Sequence, residues 1–458
     1  VKSFDLKLFS VSALLLSAFS GCGGGKDSSP PPPTAHVSSE SSAQACQDFV
    51  SKLPAEYFHD YVTVPEDPSD PNGNQIKVFY YGRLTPGKTP IVFFNGGPTS
   101  NSWSSYRVLT TKRLSDPAYA DLPFIFIDQR GTGCSDSYPS VQTKDDLPKL
   151  ALYGSAGIVS DAEAVRKHLI GKAPWKIFGQ SYGGMIVHRY IQMAPDSIVS
   201  ATSHGFALTT DPLLTMQERI DSQNRVLNDY LVQYSDDAVE LQALNNMLTP
   251  TTCFSPTTGD GNVCGKEVLS QFSENIGFVD EWPWMHNWLV YLAKSTTLSQ
   301  QWIDKVVFAS TSTQSYSAGW ADGVIWHNEM NFASTTHANC QTIYDNLKTE
   351  KSEDPSTWLL DECQYPMQKD DYTSSYDFEV QSLPQNMMSV DDLKQILTTH
   401  PRLKLYLYSG GVDPYSPVEI FADELRSASS LLTYSNFPNT GHDGFYSEDL
   451  VWQNLVKN

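Results

Sequence analysis

With 458 residues, 40% of them hydrophobic and 12% aromatic, the chain is long enough for a packed globular core plus a sizeable insertion, which excludes disorder as its general state. Lys and Arg number 31 against 52 Asp and Glu, a formal net charge of −21. So acidic a balance argues against nucleic acid as a partner and against a charge-based hold on anionic lipid.

Residues 1–21 read as an export signal: Lys2 and Lys7 flank a basic start, and Leu8 to Ser20 is mostly apolar. That run is about 13 residues, short of the roughly 20 that span a bilayer. Phe19-Ser20-Gly21-Cys22 resembles a bacterial lipobox, in which cleavage falls before the cysteine and its thiol carries diacylglycerol. Phe19 stands where leucine is usual, and a plain secretory signal is the alternative. Cys22 is therefore the expected lipidation site. The expected location is a bacterial membrane, at its periplasmic face or the cell surface, and Gly23 in place of Asp after the cysteine favours the outer membrane. Residues 22–45, with Gly23 to Gly25, Pro30 to Pro33 and a serine-rich stretch to Ser42, read as a flexible tether.

Cys46, Cys134, Cys253, Cys264, Cys340 and Cys363 make an even set without zinc spacing, which in an exported chain favours disulfides. Proximity in sequence suggests Cys253 with Cys264 and Cys340 with Cys363, leaving Cys46 for Cys134 by elimination.

Beyond the tether, Ile76 to Gly82 reads as a strand, and Thr89 to Phe94 as an apolar strand buried on both sides that ends in a glycine turn. Leu122 to Ile127 is a third strand, Val159 to Leu169 has helical apolar spacing, and Trp175 to Phe178 is a fourth strand. The alternation of β and α units predicts a mostly parallel sheet with helices on both faces. Trp175 to Phe178 runs into Gly179-Gln180-Ser181-Tyr182-Gly183, and a helix continues through Met185 to Met193. Strand, tight G-x-S-x-G turn and helix together form the context of a nucleophile elbow, which lifts a serine hydroxyl clear of the sheet. An ordinary structural serine is the bland alternative for Ser181.

A serine hydroxyl needs a histidine base, and the imidazole needs an acid to fix its tautomer. The elbow resembles that of the α/β-hydrolases, which implies that the acid and the histidine follow the serine in the chain, on loops after late strands. The strand Leu403 to Tyr408 leads to Asp413, and the strand Leu431 to Tyr434 leads to Gly441-His442. Ser181, Asp413 and His442 are thus the candidate triad, with Asp443 a weaker rival for the acid because it adjoins the base. Asp413 as a plain turn residue before Pro414, and His442 as a loop histidine, are the alternatives. For the oxyanion, Tyr182 would supply one backbone N–H and Gly96 or Gly97, in Asn95-Gly96-Gly97-Pro98, the other.

Taken together, Asn95-Gly96-Gly97-Pro98, Asp128-Gln129-Arg130-Gly131-Thr132-Gly133-Cys134-Ser135, Gly179-Gln180-Ser181-Tyr182-Gly183-Gly184, Asp413-Pro414 and Gly441-His442 resemble the prolyl iminopeptidase family and its secreted tripeptidyl-aminopeptidase relatives. The resemblance covers about residues 60–205 and 400–445 and implies the α/β-hydrolase fold, a core of residues 46–208 and 401–458, and an inserted, mainly helical cap over 209–400. It implies a serine aminopeptidase that releases N-terminal residues, proline among them, or short peptides from substrates with a free N-terminus. It also implies that Asp128 to Gly133 forms a buried bracing turn with Arg130 ion-paired. Asn95 stands where histidine is more frequent, and Thr99 where the family has glycine after the proline.

An exopeptidase must recognise a positive α-amino group, which favours cap carboxylates. Trp326-His327-Asn328-Glu329 loosely resembles a cap segment of the secreted aminopeptidases, making Glu329 the candidate amine anchor and a solvated surface glutamate the ordinary alternative. A carboxylesterase or lipase using the same triad is the competing enzyme reading. A non-catalytic binding lipoprotein is the third. No cofactor or metal site is expected, since neither a P-loop, a dinucleotide fingerprint nor a metal-binding spacing stands out.

Overall fold

The computed structural model describes residues 39–141, 143–208, 212–247, 253–254, 263–264, 276–279, 282–293, 321, 324–325, 328–329, 383, 386–413, 418–442 and 444–457. The export signal, Cys22, and the pair Cys340 and Cys363 lie outside them.

In chain order come α1 (Ser39–Val50), β1 (Phe58–Pro65), β2 (Gln75–Gly82), β3 (Ile91–Phe94), α2 (Trp103–Lys112), β4 (Phe124–Ile127), α3 (Leu147–Leu150), α4 (Ser155–Ile170), β5 (Trp175–Gln180), α5 (Tyr182–Met193) and β6 (Ile198–His204). Then follow α6 (Pro212–Gln233), α7 (Asp237–Met247), β7 (Cys253–Phe254), β8 (Val263–Cys264), α8 (Trp282–Ala293), α9 (Val390–Thr399), β9 (Lys404–Gly410), α10 (Val418–Arg426), β10 (Leu432–Phe437) and α11 (Asp449–Lys457). Eight strands form one sheet in the order β1-β2-β4-β3-β5-β6-β9-β10. Strands β1 and β2 run antiparallel, and from β4 to β10 every pairing is parallel.

The apolar runs Ile91–Phe94 and Phe124–Ile127 are buried throughout because alternate side chains enter two separate cores. Val92, Phe94, Ile125 and Ile127 join the apolar faces of α4, α5, α9 and α10. Ile91, Phe93, Phe124 and Phe126 join Tyr106 and Leu109 of α2 and Val451, Trp452 and Leu455 of α11. This is the α/β-hydrolase fold read from the sequence.

Two boundaries differ from the sequence reading. Residues 39–45, expected at the end of a tether, belong to α1, which is held by the Cys46–Cys134 disulfide, Cα–Cα 5.3 Å, and by Phe49 stacked on Trp103 at 4.7 Å. These contacts fall in the C-terminal half of the helix, and the serine-rich start that composition alone assigns to a linker continues from it. Helix α9, expected within the cap, packs Val390, Leu393 and Leu397 into the same core as α5. Of the other two disulfide expectations, Cys253 and Cys264 face each other across the β7–β8 backbone pairing.

Candidate active site

Because β3, β5, β6, β9 and β10 are mutually parallel, their C-terminal ends meet at one edge of the sheet. Strand β3 continues to β4 on one side, while β5 leads to β6 on the other. The loops after β3 and β5 therefore part at a switch point, where such sheets place their sites.

Ser181 stands at the end of β5 with φ 57° and ψ −127°, the strained turn expected of a nucleophile elbow. Its N–H donates to the His204 carbonyl at 2.9 Å, and its carbonyl accepts from Gly184 at 2.7 Å. A side chain at Gly183 would come 2.0 Å from the Phe94 carbonyl, so only glycine lets the elbow sit this close to β3. Helix α5 starts at Tyr182, and its N-terminus directs the positive end of the helix dipole at the site.

Asp413 follows β9 and His442 follows β10. The Asp413 Oδ2 to His442 Nδ1 distance is 2.8 Å, and both residues are buried. The rival Asp443 lies outside the described residues. Between the strand of the serine and that of the acid runs β6, whose continuation passes beneath the pair at Gly205, φ 63°. A Cβ there would stand 3.1 Å from both Cε1 and Nδ1 of His442 and 3.3 Å from Asp413 Oδ2. Gln180 Nε2 also donates to the His442 carbonyl at 3.1 Å, tying the histidine loop to the elbow.

Of the two candidate oxyanion glycines, Gly96 abuts the nucleophile: a Cβ on it would lie 3.0 Å from that of Ser181. Gly97 supplies a turn at φ 115° and faces Ser100. Thr99 has φ 66°, a left-handed conformation costly for a β-branched residue. Asn95 spans this loop, its amide donating to the carbonyls of Gly96 at 3.0 Å and Ser100 at 2.8 Å.

The bracing turn is present. Asp128 is fully buried and accepts from Ser102 N and Oγ, Trp103 Nε1 and Cys134 N at 2.7–2.9 Å, so it fixes the start of α2, which follows the Gly96–Gly97 loop in the chain. Burial raises its pKa against those four donors. Arg130 makes a two-point ion pair with Asp161 at 2.8 and 2.6 Å, and also donates to the carbonyls of Glu66 and Leu152.

Glu329 is 4% exposed, which rules out a solvated surface glutamate. It lies in line with Ala321, Val324, Ile325 and Asn328, all buried at helical spacing. Its Oε1 accepts from Ser155 N and Oγ, each at 2.7 Å, and its Oε2 accepts from Tyr182 Oη at 2.7 Å. Burial raises the Glu329 pKa, opposed by these donors and by the Arg189 charge.

Sequence reasoning missed four contributors. Gly277 accepts from His442 N at 3.1 Å, and Phe278 meets the His442 ring edge-on at 6.2 Å, so the inserted segment helps hold the base. No motif marks them. His204, fully buried beside the pair, lends only its carbonyl to Ser181. Gly205 carried a weak signal, a glycine just past an apolar strand. Among the described residues, no group of three or more His, Cys, Asp or Glu is placed to hold a metal ion.

The strand order and the helices on both faces are those of the α/β-hydrolase fold. Residues 89–246 match the family described as alpha/beta hydrolase fold. Curated relatives include a proline iminopeptidase of Aeromonas sobria, 26% identical over 150 residues, which are 30% of this chain and 34% of that protein. Another, from Arabidopsis thaliana, is 30% identical over 124 residues, 27% of this chain and 28% of that protein. The chain thus spans about a third of the length of the curated relatives it matches. Similar solved structures include an acetylester hydrolase from Corynebacterium glutamicum, 14% identical with a TM-score of 0.42, covering 89% of this chain and 97% of that one. An alpha/beta hydrolase fold protein from Chitinophaga pinensis is 13% identical with a TM-score of 0.39, covering 87% and 96%.

Proposed function

We propose that this protein is a serine hydrolase acting as an aminopeptidase, releasing N-terminal residues, proline among them, or short peptides from substrates with a free N-terminus. The observation that carries the hydrolase reading is the strained Ser181 turn, tied to the buried Asp413–His442 pair by the hydrogen bond from the neighbouring Gln180 to the His442 carbonyl. The peptidase reading leans on the similarity of about 30% of the chain to proline iminopeptidases and on the motifs shared with that family.

In this mechanism Asp413 holds Nδ1–H of His442, which leaves Nε2 to take the Ser181 proton as Oγ attacks the scissile carbonyl. The N–H of Tyr182 and one from the Gly96–Gly97 loop take up the oxyanion charge. Collapse breaks the C–N bond, the His442 proton passes to the leaving amine, and a water activated by His442 then cleaves the acyl-enzyme and regenerates Ser181. Export and a lipid anchor at Cys22, carrying the enzyme on a bacterial membrane, complete the reading; the lipobox-like Phe19 to Cys22 supports it.

The test compares free and N-acetylated prolyl, alanyl and tripeptidyl p-nitroanilides, alongside p-nitrophenyl esters, with wild type and Ser181→Ala. Turnover of free-amine amides that Ser181→Ala abolishes is the expected result. Turnover of esters alone, lost in the same variant, would replace the peptidase by a carboxylesterase.

A further inference from the structure

Glu329 enters from the segment inserted between the serine and the acid, yet its three donors, Ser155 N, Ser155 Oγ and Tyr182 Oη, all belong to the core. Helix α4 has Gly154 at its N-cap with no side-chain cap, and a Cβ on Gly154 would come 2.6 Å from Glu329 Oε1. The carboxylate therefore caps α4 from a distant part of the chain, meeting an N–H that the helix itself leaves unpaired and the positive end of its dipole. Arg189 Nε donates to Ser155 Oγ at 3.1 Å, and Ser155 Oγ donates onward to Glu329, so the network is polarised toward the carboxylate.

The second oxygen is bound to the residue that follows the nucleophile. Tyr182 is the first residue of α5, is fully buried, and gives Glu329 a charge-assisted hydrogen bond through its hydroxyl. Its backbone follows Ser181, whose φ is positive, and is pinned at the next residue, where Gly183 lies against the Phe94 carbonyl of β3, so the side chain and the N–H of Tyr182 turn together.

We propose that Glu329 is a positioning residue of the oxyanion hole: by gripping the Tyr182 hydroxyl and the start of α4 it aims the Tyr182 N–H at the developing oxyanion. The inserted segment thereby completes the catalytic geometry when it is seated on the core. The inference rests on the serine-hydrolase reading above and assigns Glu329 a role different from amine recognition.

Glu329→Gln keeps acceptors for Ser155 but places an amide N–H against the Tyr182 hydroxyl, and Tyr182→Phe removes that hydroxyl. Both variants and their combination are assayed on alanyl p-nitroanilide and on p-nitrophenyl acetate, which has no amine, with active sites counted by fluorophosphonate titration. Removing an oxyanion donor outright costs roughly 100- to 1,000-fold in kcat, and misaiming one should cost about 10-fold. The expected result is a kcat loss of about 10-fold in each single variant on every substrate the wild type turns over, KM within about twofold, and a double variant no slower than either single one. A KM increase confined to the free-amine amide would overturn the proposal in favour of an amine anchor. Unchanged kcat per titrated site with a lowered Tm would overturn it in favour of a purely structural contact. A wild type active on the ester alone would remove the aminopeptidase reading, and the ester arm would still decide the role of Glu329, since the oxyanion forms in both reactions.

Discussion

His188 lies on α5 in the core, fully buried, with its ring 5.0 Å from that of Phe421 and 5.5 Å from that of Phe206. Neither ring nitrogen has a hydrogen-bond partner among the described residues. Burial pushes its pKa down to about 3. Above the unfolded value of about 6.5 the ring is neutral in both states and its contribution to stability is fully present. As pH falls through 6.5 the unfolded chain binds a proton that the folded chain refuses, so stability is lost progressively down to the folded pKa. At pH 5, about 1.5 units below the unfolded value, the loss is about 2 kcal/mol at about 1.4 kcal/mol per unit. His188→Leu removes the titrating group at similar volume. Urea denaturation at pH 7.5 and pH 5 should therefore show the variant losing about 2 kcal/mol less than wild type between the two conditions. An equal loss in variant and wild type would refute the reasoning, because it would mean that His188 is protonated in the folded protein or titrates identically in both states.

Gly205→Ala must hold an L-residue at φ 63° and place a methyl 3.1 Å from the His442 ring. The expected outcome is about 1–2 kcal/mol of lost stability and a kcat/KM lowered by at least 10-fold in steady-state assays, with near wild-type activity meaning that the pair does not rest on this turn. The Cys46–Cys134 disulfide spans 88 residues, for which the chain-entropy relation gives about 4–5 kcal/mol. Reduction, or Cys46→Ser with Cys134→Ser, should lower Tm and free α1 to exchange its amide hydrogens, and an unchanged Tm would show that α1 is held by its aromatic contacts alone.

Much of this site could be read in the sequence because its chemistry is local. The elbow needs small residues within five positions of Ser181, and Asp413 and His442 each follow a late strand, so composition and chain order were enough to nominate them. Two-sided burial of Ile91–Phe94 was equally legible, since an unbroken apolar run with no helical period has few other places to go. Tertiary structure alone decided what reaches the site from afar. Glu329 could be nominated for its charge, but its partners Ser155 and Tyr182 lie 174 and 147 residues away, and neither pairing leaves a periodic trace. The same holds for Gly277 against His442 and for Gly205 beneath the Asp413–His442 pair. Backbone spacing and side-chain period record which face of an element is buried. Which distant group fills a given hydrogen bond depends on how whole layers pack, and that is settled only when the chain closes on itself.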